Sequence, residues 1–149
     1  KKKINLSKAI MIHGGGWKKL SNLNISNHEF KLKLKKYCNI DNVYNYYGMA
    51  EQAGSIYFEC KKGNLHTSIY NDILIRNKYD FTLSKMGESG IVQVFSLIPE
   101  SYPGHSILTE DEGVILGENN CGCGIKSKYF RIIGRLKNSE IRGCSDTYK

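Results

Sequence analysis

The sequence predicts a mixed α/β fold, with an α/β part over about residues 1–56 and a mostly β part over about residues 57–149. Helical periodicity behind a capping-box pattern occurs early in the chain, between two strand-like segments. After residue 57, short runs of β-branched and aromatic residues alternate with glycine, proline and asparagine turns. A chain of 149 residues is long enough to bury a core, so we treat the two parts as one domain.

A predicted buried strand over residues 8–13 leads into three successive glycines, Gly14, Gly15 and Gly16. Glycine has no Cβ, so the backbone at this turn is able to approach a ligand closely. A Walker phosphate loop is excluded, because the Gly-Lys-Ser/Thr ending of that motif is missing. The residues leave two interpretations open, a ligand-contacting turn and a plain tight turn.

The only predicted helix covers about residues 27–37. Ser26 and Glu29 have the spacing of a capping box, in which each side chain hydrogen-bonds to the backbone of the other residue. Phe30 and Leu34 then fall on one helical face. The alternation of apolar and lysine residues between them also suits a strand.

A second strand, predicted over residues 42–46, is followed by Tyr47, Gly48 and, after a short turn, Glu51. Strands that end in such turns often present polar groups at the edge of a sheet. Glu51 is suited to bind Mg²⁺, a hard cation that prefers oxygen ligands. The residues alone favour the alternative, a solvated glutamate after a turn.

The mostly β part is predicted as a series of short strands, over residues 57–60, 65–70, 72–75, 91–98 and 129–133. Asp111 follows a further short strand and is predicted to lie in a loop. A carboxylate there is suited to accept hydrogen bonds from both hydroxyls of a ribose. A solvated turn residue is the alternative.

Two cysteine-containing pairs predict a metal site. Cys121 and Cys123 form a Cys-x-Cys pair, and Cys60 and His66 form a Cys-x5-His pair across a predicted hairpin turn. Together they supply the four ligands of a closed, tetrahedral Zn²⁺ site. The alternative is four unrelated residues, with the thiols packed as small apolar groups and the histidine on the surface.

Composition and charge narrow the function classes. Lysine and arginine total 22 against 14 aspartate and glutamate residues, a net charge of +8, and lysines recur at positions 31, 33, 35 and 36. A nucleic-acid patch and a partner surface are alternatives, but no nucleic-acid motif accompanies the lysines, which favours a solvated face. No apolar run is long enough to span a bilayer and no signal-peptide pattern occurs, so we expect a cytoplasmic protein. Five cysteines, an odd number, fit a reducing compartment.

The last sixteen residues place a thiol beside fixed cations. Arg135, Lys137 and Arg142 precede Cys144, which lies close to the chain end. Nearby positive charge favours the nucleophilic thiolate, so Cys144 is a candidate acyl acceptor. An inert buried thiol is the alternative.

The order of the motifs resembles that of the adenylate-forming ligases, and in particular the acyl-protein synthetase (LuxE) family. The motifs are Tyr-Gly-x-x-Glu, Gly-Glu-x-Gly, Thr-x-Asp, Gly-Arg and Arg-Gly-Cys, at residues 47–51, 87–90, 109–111, 134–135 and 142–144. Ala50 departs from the superfamily, which usually has a phosphate-contacting threonine there, and the spacing to Arg142 is one residue shorter than usual. The resemblance implies the C-terminal part of a large adenylating domain, an α/β layer followed by a small distorted β-barrel.

The resemblance also implies a role for each matching residue. Tyr47 lies against the adenine, with Gly48 beside it in the motif, and Glu51 ligates the Mg²⁺ that accompanies ATP. Asp111 and Arg135 bind the ribose. The three glycines after the first strand join this nucleotide site.

The remaining implied roles lie in the tail. Lys137 is the hinge residue, Arg142 brings positive charge to the reacting groups, and Cys144 holds the acyl group as a thioester. Similar cysteine and histidine pairs hold zinc in some phenylacetate-ligase-like relatives.

The function implied by the resemblance is ATP-dependent activation of a carboxylic acid, a fatty acid in the luminescence-type enzymes, to an acyl-adenylate. The acyl group then passes to the enzyme thiol and on to an acyl-CoA-type reductase subunit. The chain lacks a Ser/Thr/Gly-rich phosphate loop. We expect it to be inactive alone, because the triphosphate and acyl pocket would lie largely in the missing part of the domain. The alternatives are a ligase that transfers the acyl group to coenzyme A or a carrier protein, and a non-catalytic, zinc-stabilised scaffold.

Overall fold

The structure is a computed structural model, and it describes residues 4–14, 23 and 25–136. The chain divides into two compact units, with the boundary between Asn45 and Tyr46. Among the described residues, the first unit contains β1 (Ile10–Gly14), α1 (Asn27–Cys38) and the first part of β2 (Asn42–Gly48). No described helix has the length and apolar character needed to cross a membrane.

The capping box confirms the predicted helix. Ser26 is the N-cap of α1: its Oγ accepts a hydrogen bond from the Glu29 backbone at 3.2 Å, and the Glu29 carboxylate accepts one from the Ser26 backbone at 2.9 Å. The helix ends at Cys38, because Asn39 takes a left-handed conformation (φ 56°) and its N–H bonds to the Lys35 carbonyl at 3.0 Å. These local bonds explain why the helix forms in preference to the alternative strand.

The predicted burial of the first strand is wrong. Ile10 and Ile12 are 68% and 56% exposed, and successive residues of β1 alternate between exposed and half-buried. Alternate side chains of a strand point to opposite faces, so a strand covered on one face leaves every second side chain outside. Its sheet has the order β1-β2-β3.

Up to Leu136, the last described residue, the second unit contains six further strands: β3 (Ile56–Phe58), β4 (Leu65–His66), β5 (Asn71–Arg76), β6 (Ser89–Ser96), β7 (Ser106–Glu118) and β8 (Lys128–Arg135). The end of β2 pairs antiparallel with β3. The other five form an antiparallel sheet of order β4-β8-β7-β6-β5. Within the described residues this sheet is open, so the small distorted barrel implied by the resemblance is not confirmed.

Some predictions for the strands of this unit are wrong. The strand predicted over residues 65–70 ends at His66, because the Asn71 side chain accepts a hydrogen bond from the Ser68 backbone at 2.8 Å and holds a turn there. Asp111, predicted in a loop, lies inside β7. Pairing with β8 keeps this charged segment extended, since neighbouring strands override a weak intrinsic preference.

Three aromatic rings link the end of β2 to the core of the second unit. Tyr57 and Phe130 are fully buried, with ring centroids 5.2 Å apart and planes at 84°. The Tyr47 ring lies 6.0 Å from Tyr57 and 6.4 Å from Phe130. Edge-to-face and offset packing of this kind contributes about 0.5–1.5 kcal/mol per pair beyond simple burial. The core therefore fixes where the Tyr47 hydroxyl lies.

Candidate functional site

Asp111 lies between a tyrosine and an arginine from two other strands. The Tyr47 hydroxyl, at the end of β2, donates to Asp111 Oδ2 at 2.7 Å. Arg135 is the register partner of Asp111 in the β7–β8 ladder, and its Nε lies 3.6 Å from Asp111 Oδ1. The structure thus brings together the three residues to which the resemblance gave adenine and ribose contacts, Tyr47, Asp111 and Arg135.

Contacts with the neighbouring strand β6 hold the backbone around Asp111 in place. The buried hydroxyl of Thr109 donates to the Val92 carbonyl at 2.9 Å and accepts from the Asp111 N–H at 3.1 Å. The β7–β8 register shifts between Glu112 and Gly113, and a Cβ on Gly113 would lie 2.7 Å from the Val92 side chain. Glycine therefore permits the close strand approach that fixes the Asp111 position.

Arg135 has a second carboxylate partner. Its Nη2 bonds to Glu110 Oε2 at 2.8 Å, and the Leu136 N–H bonds to the Glu110 carbonyl at 2.9 Å. Both side chains of the ion pair are substantially exposed, 41% for Arg135 and 61% for Glu110, so the pair itself contributes little stability. Its effect is to orient the guanidinium beside Asp111.

The surroundings of Tyr47 make its hydroxyl the donor to Asp111. Burial, reinforced by the negative charge of Asp111, raises the pKa of Tyr47 well above its ordinary range. The Tyr47 hydroxyl therefore stays protonated and donates to the Asp111 carboxylate. An acceptor fixed by one neutral donor and one cation is suited to bind further hydroxyl donors.

Glu51 lies on an exposed turn after β2. No hydrogen bond or ion pair joins it to Tyr47, Asp111 or Arg135 in the described structure. An exposed carboxylate fits a Mg²⁺ ion that takes most of its ligands from water and substrate phosphates, which is how proteins usually bind this metal. Gly48 lies at the end of β2, where a Cβ would meet the Ser55 carbonyl at 2.8 Å.

The remaining predicted residues lie in the first unit or outside the described part of the chain. Gly14 is the last residue of β1, in the first unit. The rest lie outside the described residues; they are Gly15, Gly16, Lys137, Arg142 and Cys144.

The four predicted metal ligands converge. The sulfur atoms of Cys60, Cys121 and Cys123 and a ring nitrogen of His66 all lie within 4.8 Å of one another. The 60–66 hairpin contributes two of them, and its turn is closed by the Cys60 N–H bonding to the Asn64 carbonyl at 2.8 Å. The β7–β8 connection contributes the other two, and the pairing of β4 with β8 brings these segments together.

The spacing of these atoms fits a tetrahedral zinc ion. The Cys60 and Cys121 sulfurs are 3.7 Å apart, and Cys123 Sγ lies 3.4 Å from His66 Nε2. Zn–S bonds of about 2.3 Å and Zn–N bonds of about 2.0 Å at tetrahedral angles require separations of about 3.8 and 3.5 Å. The donor set and these two separations therefore fit Zn²⁺.

Backbone and side-chain donors already surround the sulfurs. The Lys62 N–H bonds to Cys60 Sγ and the Ile125 N–H to Cys123 Sγ, each at 3.4 Å. His66 Nδ1 lies 3.0 Å from the Ser127 hydroxyl, which leaves Nε2 directed at the cluster. Such outer contacts orient metal ligands and are a regular feature of zinc sites.

Asn64 and Arg131 complete this surrounding shell. The Asn64 amide donates to Cys121 Sγ at 3.3 Å, and Arg131 Nε donates to Asn64 Oδ1 at 3.0 Å. Burial acts to raise the pKa of the Cys121 thiol, but hydrogen bonds from Asn64 and the neighbouring thiols outweigh it and lower that pKa. Burial raises the pKa of Cys60 and lowers that of His66, which favours the neutral imidazole that binds metals.

Sequence reasoning missed the supporting roles of Thr109, Asn64, Ser127 and Arg131. Asn64 is an ordinary turn residue, Ser127 lies in the bend before β8, and Thr109 and Arg131 are unremarkable strand residues. Their roles depend on contacts more than 15 residues apart along the chain, for which a single sequence contains no local signal.

Solved structures of adenylate-forming enzymes resemble this chain. Apo MatB from Rhodopseudomonas palustris aligns with a TM-score of 0.55 at 16% identity, over 86% of this chain and 26% of its own. An open conformation of 2-hydroxyisobutyryl-CoA ligase, in complex with 2-HIB-AMP and CoA, aligns with a TM-score of 0.64 at 17% identity, over 85% of this chain and 27% of its own.

A long-chain-fatty-acid-CoA ligase (FadD1) from Archaeoglobus fulgidus aligns with a TM-score of 0.53 at 14% identity, over 91% of this chain and 30% of its own. The chain thus spans between 26% and 30% of the length of these three proteins. At such identities the match establishes a shared fold.

Comparison by sequence gives a second, independent result. No curated protein sequence matches the chain. A sequence model of the family described as acyl-protein synthetase, LuxE, matches residues 3–149, nearly the whole chain. The chain therefore belongs to the LuxE acyl-protein synthetase family.

Proposed function

We propose that this chain forms part of an ATP-dependent enzyme that converts a carboxylic acid, specifically a fatty acid, to an acyl-adenylate. The observation that supports the proposal is the position of Asp111, which accepts the Tyr47 hydroxyl and faces Arg135. A fixed carboxylate beside an aromatic ring and a cation is suited to a ribose and its adenine. Membership of the acyl-protein synthetase family supports the same assignment.

Each residue then has a defined role at the nucleotide. Asp111 accepts hydrogen bonds from the ribose hydroxyls, and Arg135 donates to the same sugar. The Tyr47 ring lies against the adenine, while its hydroxyl holds Asp111 in place. Glu51 is the residue that would hold Mg²⁺, which neutralises charge on the triphosphate. Gly14, Gly15 and Gly16 are further candidates for nucleotide contacts.

The proposed reaction has two displacement steps. A carboxylate oxygen of the acid attacks the α-phosphorus of ATP, the bond from that phosphorus to the bridging oxygen breaks, and pyrophosphate leaves. The Cys144 thiolate then attacks the acyl carbon, the bond between that carbon and the phosphate oxygen breaks, and AMP leaves. Lys137 and Arg142 stabilise the phosphate and thiolate charges. A reductase partner then delivers hydride from its own hydride-donating cofactor to the carbonyl carbon of the thioester, the carbon–sulfur bond breaks, and the aldehyde and the thiolate are released.

The test is fatty-acid-dependent exchange between ATP and labelled pyrophosphate, catalysed by the whole gene product. Asp111→Asn should lower the exchange rate at sub-saturating ATP by about 10²-fold, because it removes a charge-assisted bond to the ribose and disturbs Arg135. Asp72→Asn is the matched control, since Asp72 pairs with Lys128 on the surface of the same unit. Equal exchange rates in the two variants would contradict the assignment of Asp111.

Two alternatives give different outcomes in the same preparation. A ligase of the acyl-CoA or carrier-protein type would show exchange but release product only when coenzyme A or a carrier protein is added. A non-catalytic scaffold would show neither exchange nor calorimetric binding of ATP. We expect the 149-residue chain by itself to be inactive. We also propose that its α/β part, up to about residue 56, and its β part beyond that belong to one adenylating domain.

We also propose that Cys60, His66, Cys121 and Cys123 bind a structural Zn²⁺ ion. The proposal is supported by four ligand atoms within 4.8 Å of one another, two pairs of which lie at 3.7 and 3.4 Å, close to tetrahedral separations. A closed set of three thiolates and one imidazole leaves no open position for a substrate, so the metal would act on stability rather than on chemistry. Elemental analysis of the purified protein tests it, with an expected ratio of about one zinc per chain.

A further inference from the structure

The turn that presents Glu51 is followed at once by a buried amide. Gln52 is 1% exposed, whereas Glu51 is exposed. Adjacent residues of this turn therefore face opposite ways, one toward solvent and one into the second unit. A buried glutamine requires hydrogen-bond partners at both ends of its amide, and the identity of those partners shows what the residue holds in place.

Both ends of the Gln52 amide are engaged. Nε2 donates to the Gly104 carbonyl at 2.5 Å and lies 3.5 Å from the Val94 carbonyl. Oε1 accepts the hydroxyl of Ser55, which is itself fully buried. One side chain thus ties the turn to β6 and to the loop before β7.

The backbone after Gln52 is held by the same neighbours. The Ala53 N–H donates to the Tyr102 hydroxyl at 2.9 Å, and the Ser96 hydroxyl donates to the Ala53 carbonyl at 2.6 Å. Asn71 donates to the Gly54 carbonyl at 2.8 Å. Gly54 has φ 83°, and a Cβ there would lie 2.7 Å from the Ser96 hydroxyl, so the turn fits this surface closely.

We infer that Gln52 is a positioning residue, which fixes the turn so that the Glu51 carboxylate is presented to the metal of the nucleotide complex. This inference rests on the proposed function. Glu51 has no side-chain partner of its own on the described surface that would orient it, so the backbone must supply its orientation. A backbone pinned on its buried side loses less freedom when the metal binds, and outer contacts of this kind influence metal affinity by about 10–100-fold.

The test measures binding rather than activity. Calorimetry with the non-hydrolysable analogue α,β-methylene-ATP, with and without Mg²⁺, gives the factor by which Mg²⁺ tightens nucleotide binding to the whole gene product. Gln52→Leu should reduce this factor by about ten-fold. Glu51→Gln should reduce it similarly, and the double variant should be no worse than Glu51→Gln alone, because Gln52 acts through Glu51.

Controls separate positioning from general stability. Ile75→Val removes a methylene group from the buried core of the same unit and should lower the melting temperature without changing the Mg²⁺ factor. If Gln52→Leu does not fold, Tyr102→Phe removes the acceptor of the Ala53 N–H with a milder change, and should reduce the factor by about three-fold.

The outcomes distinguish a failure of the role of Gln52 from a failure of the proposed function. An unchanged Mg²⁺ factor in Gln52→Leu, or in Tyr102→Phe as its replacement, overturns the role of Gln52 while nucleotide binding by the wild type leaves the proposed function standing. A further loss in the double variant also overturns it, because Gln52 would then act independently of Glu51. If the wild type fails to bind the analogue at all, the proposed function fails, and the inference about Gln52 fails with it.

Discussion

The side-chain amide of Asn64 donates to the sulfur of Cys121 at 3.3 Å. Arg131 fixes the direction of this bond, because its guanidinium only donates and therefore binds the oxygen of the Asn64 amide, at 3.0 Å. The NH₂ group is left facing the sulfur. Arg131 in β8 therefore orients the Asn64 amide so that its N–H donates to Cys121.

Replacing Asn64 should therefore weaken zinc binding. Asn64→Leu keeps approximately the side-chain volume but removes the donor to Cys121, and we expect zinc affinity to fall about 10–100-fold. Competition with a chromogenic chelator measures the affinity directly. Asn120→Leu is the control, because Asn120 is an exposed asparagine next to Cys121 in the sequence. Equal affinities in the two variants would show that the Asn64 bond has no effect on the metal.

Removal of zinc should destabilise the second unit. The cluster joins the 60–66 hairpin to the β7–β8 connection, and a metal that binds only the folded chain stabilises it according to its concentration and affinity. We expect chelation to lower the melting temperature by at least about 5 °C. Differential scanning calorimetry with and without chelator measures the shift.

The control for this prediction is a cysteine outside the cluster. Cys121→Ser should abolish both the bound zinc and the chelator-induced shift, whereas Cys38→Ser, in α1, should retain both. A wild-type protein that purifies without zinc and melts identically with chelator would contradict the structural metal.

Local patterns in the sequence were sufficient to predict some of these features. The capping box of Ser26 and Glu29 depends on residues three positions apart, so the helix could be predicted nearly to its ends. The cysteine spacings gave the two metal-ligand pairs for the same reason. Their meeting in space depends on the pairing of β4 with β8, which links residues about sixty positions apart. No pattern in a single sequence encodes that register.

For the proposed nucleotide-binding residues too, local motifs predict identity but not position in the fold. The motif order points to Tyr47, Asp111 and Arg135, but the sequence predicts Asp111 in a loop after a short strand. Its place in β7 follows from strand pairing and from the bulge at Glu112 and Gly113. The burial of Gln52 had no sequence signal either, since a polar residue after a turn is ordinarily exposed.

The pKa of Tyr47 leads to a prediction at alkaline pH. Burial and the charge of Asp111 raise this pKa above the value of about 10 that the tyrosine has in the unfolded chain. The resulting stability is fully present below pH 10 and is lost as pH rises above it, because the unfolded state then releases a proton that the folded state keeps. The expected loss is about 1.4 kcal/mol per pH unit for this one group.

Urea unfolding at pH 8 and pH 11 measures this dependence. In Tyr47→Phe the loss of unfolding free energy between the two pH values should be smaller than in the wild type, by about 1 kcal/mol or more. Tyr79→Phe is the control, because Tyr79 is 93% exposed. If the Tyr47 and Tyr79 variants show the same pH dependence as the wild type, Tyr47 does not titrate as its surroundings indicate.

The proposed acyl transfer predicts that adenylate formation and covalent labelling separate in a Cys144 variant. Cys144→Ser in the whole gene product should keep ATP–pyrophosphate exchange within about two-fold, because the thiol acts only after pyrophosphate has left. It should lose covalent labelling by radioactive fatty acid in the presence of ATP, since a serine hydroxyl is not ionised at neutral pH and is a far weaker nucleophile than a thiolate. Cys38→Ser should retain both activities. Unchanged labelling of Cys144→Ser would assign the acyl group to another residue, whereas loss of exchange together with labelling would place Cys144 in the nucleotide site itself.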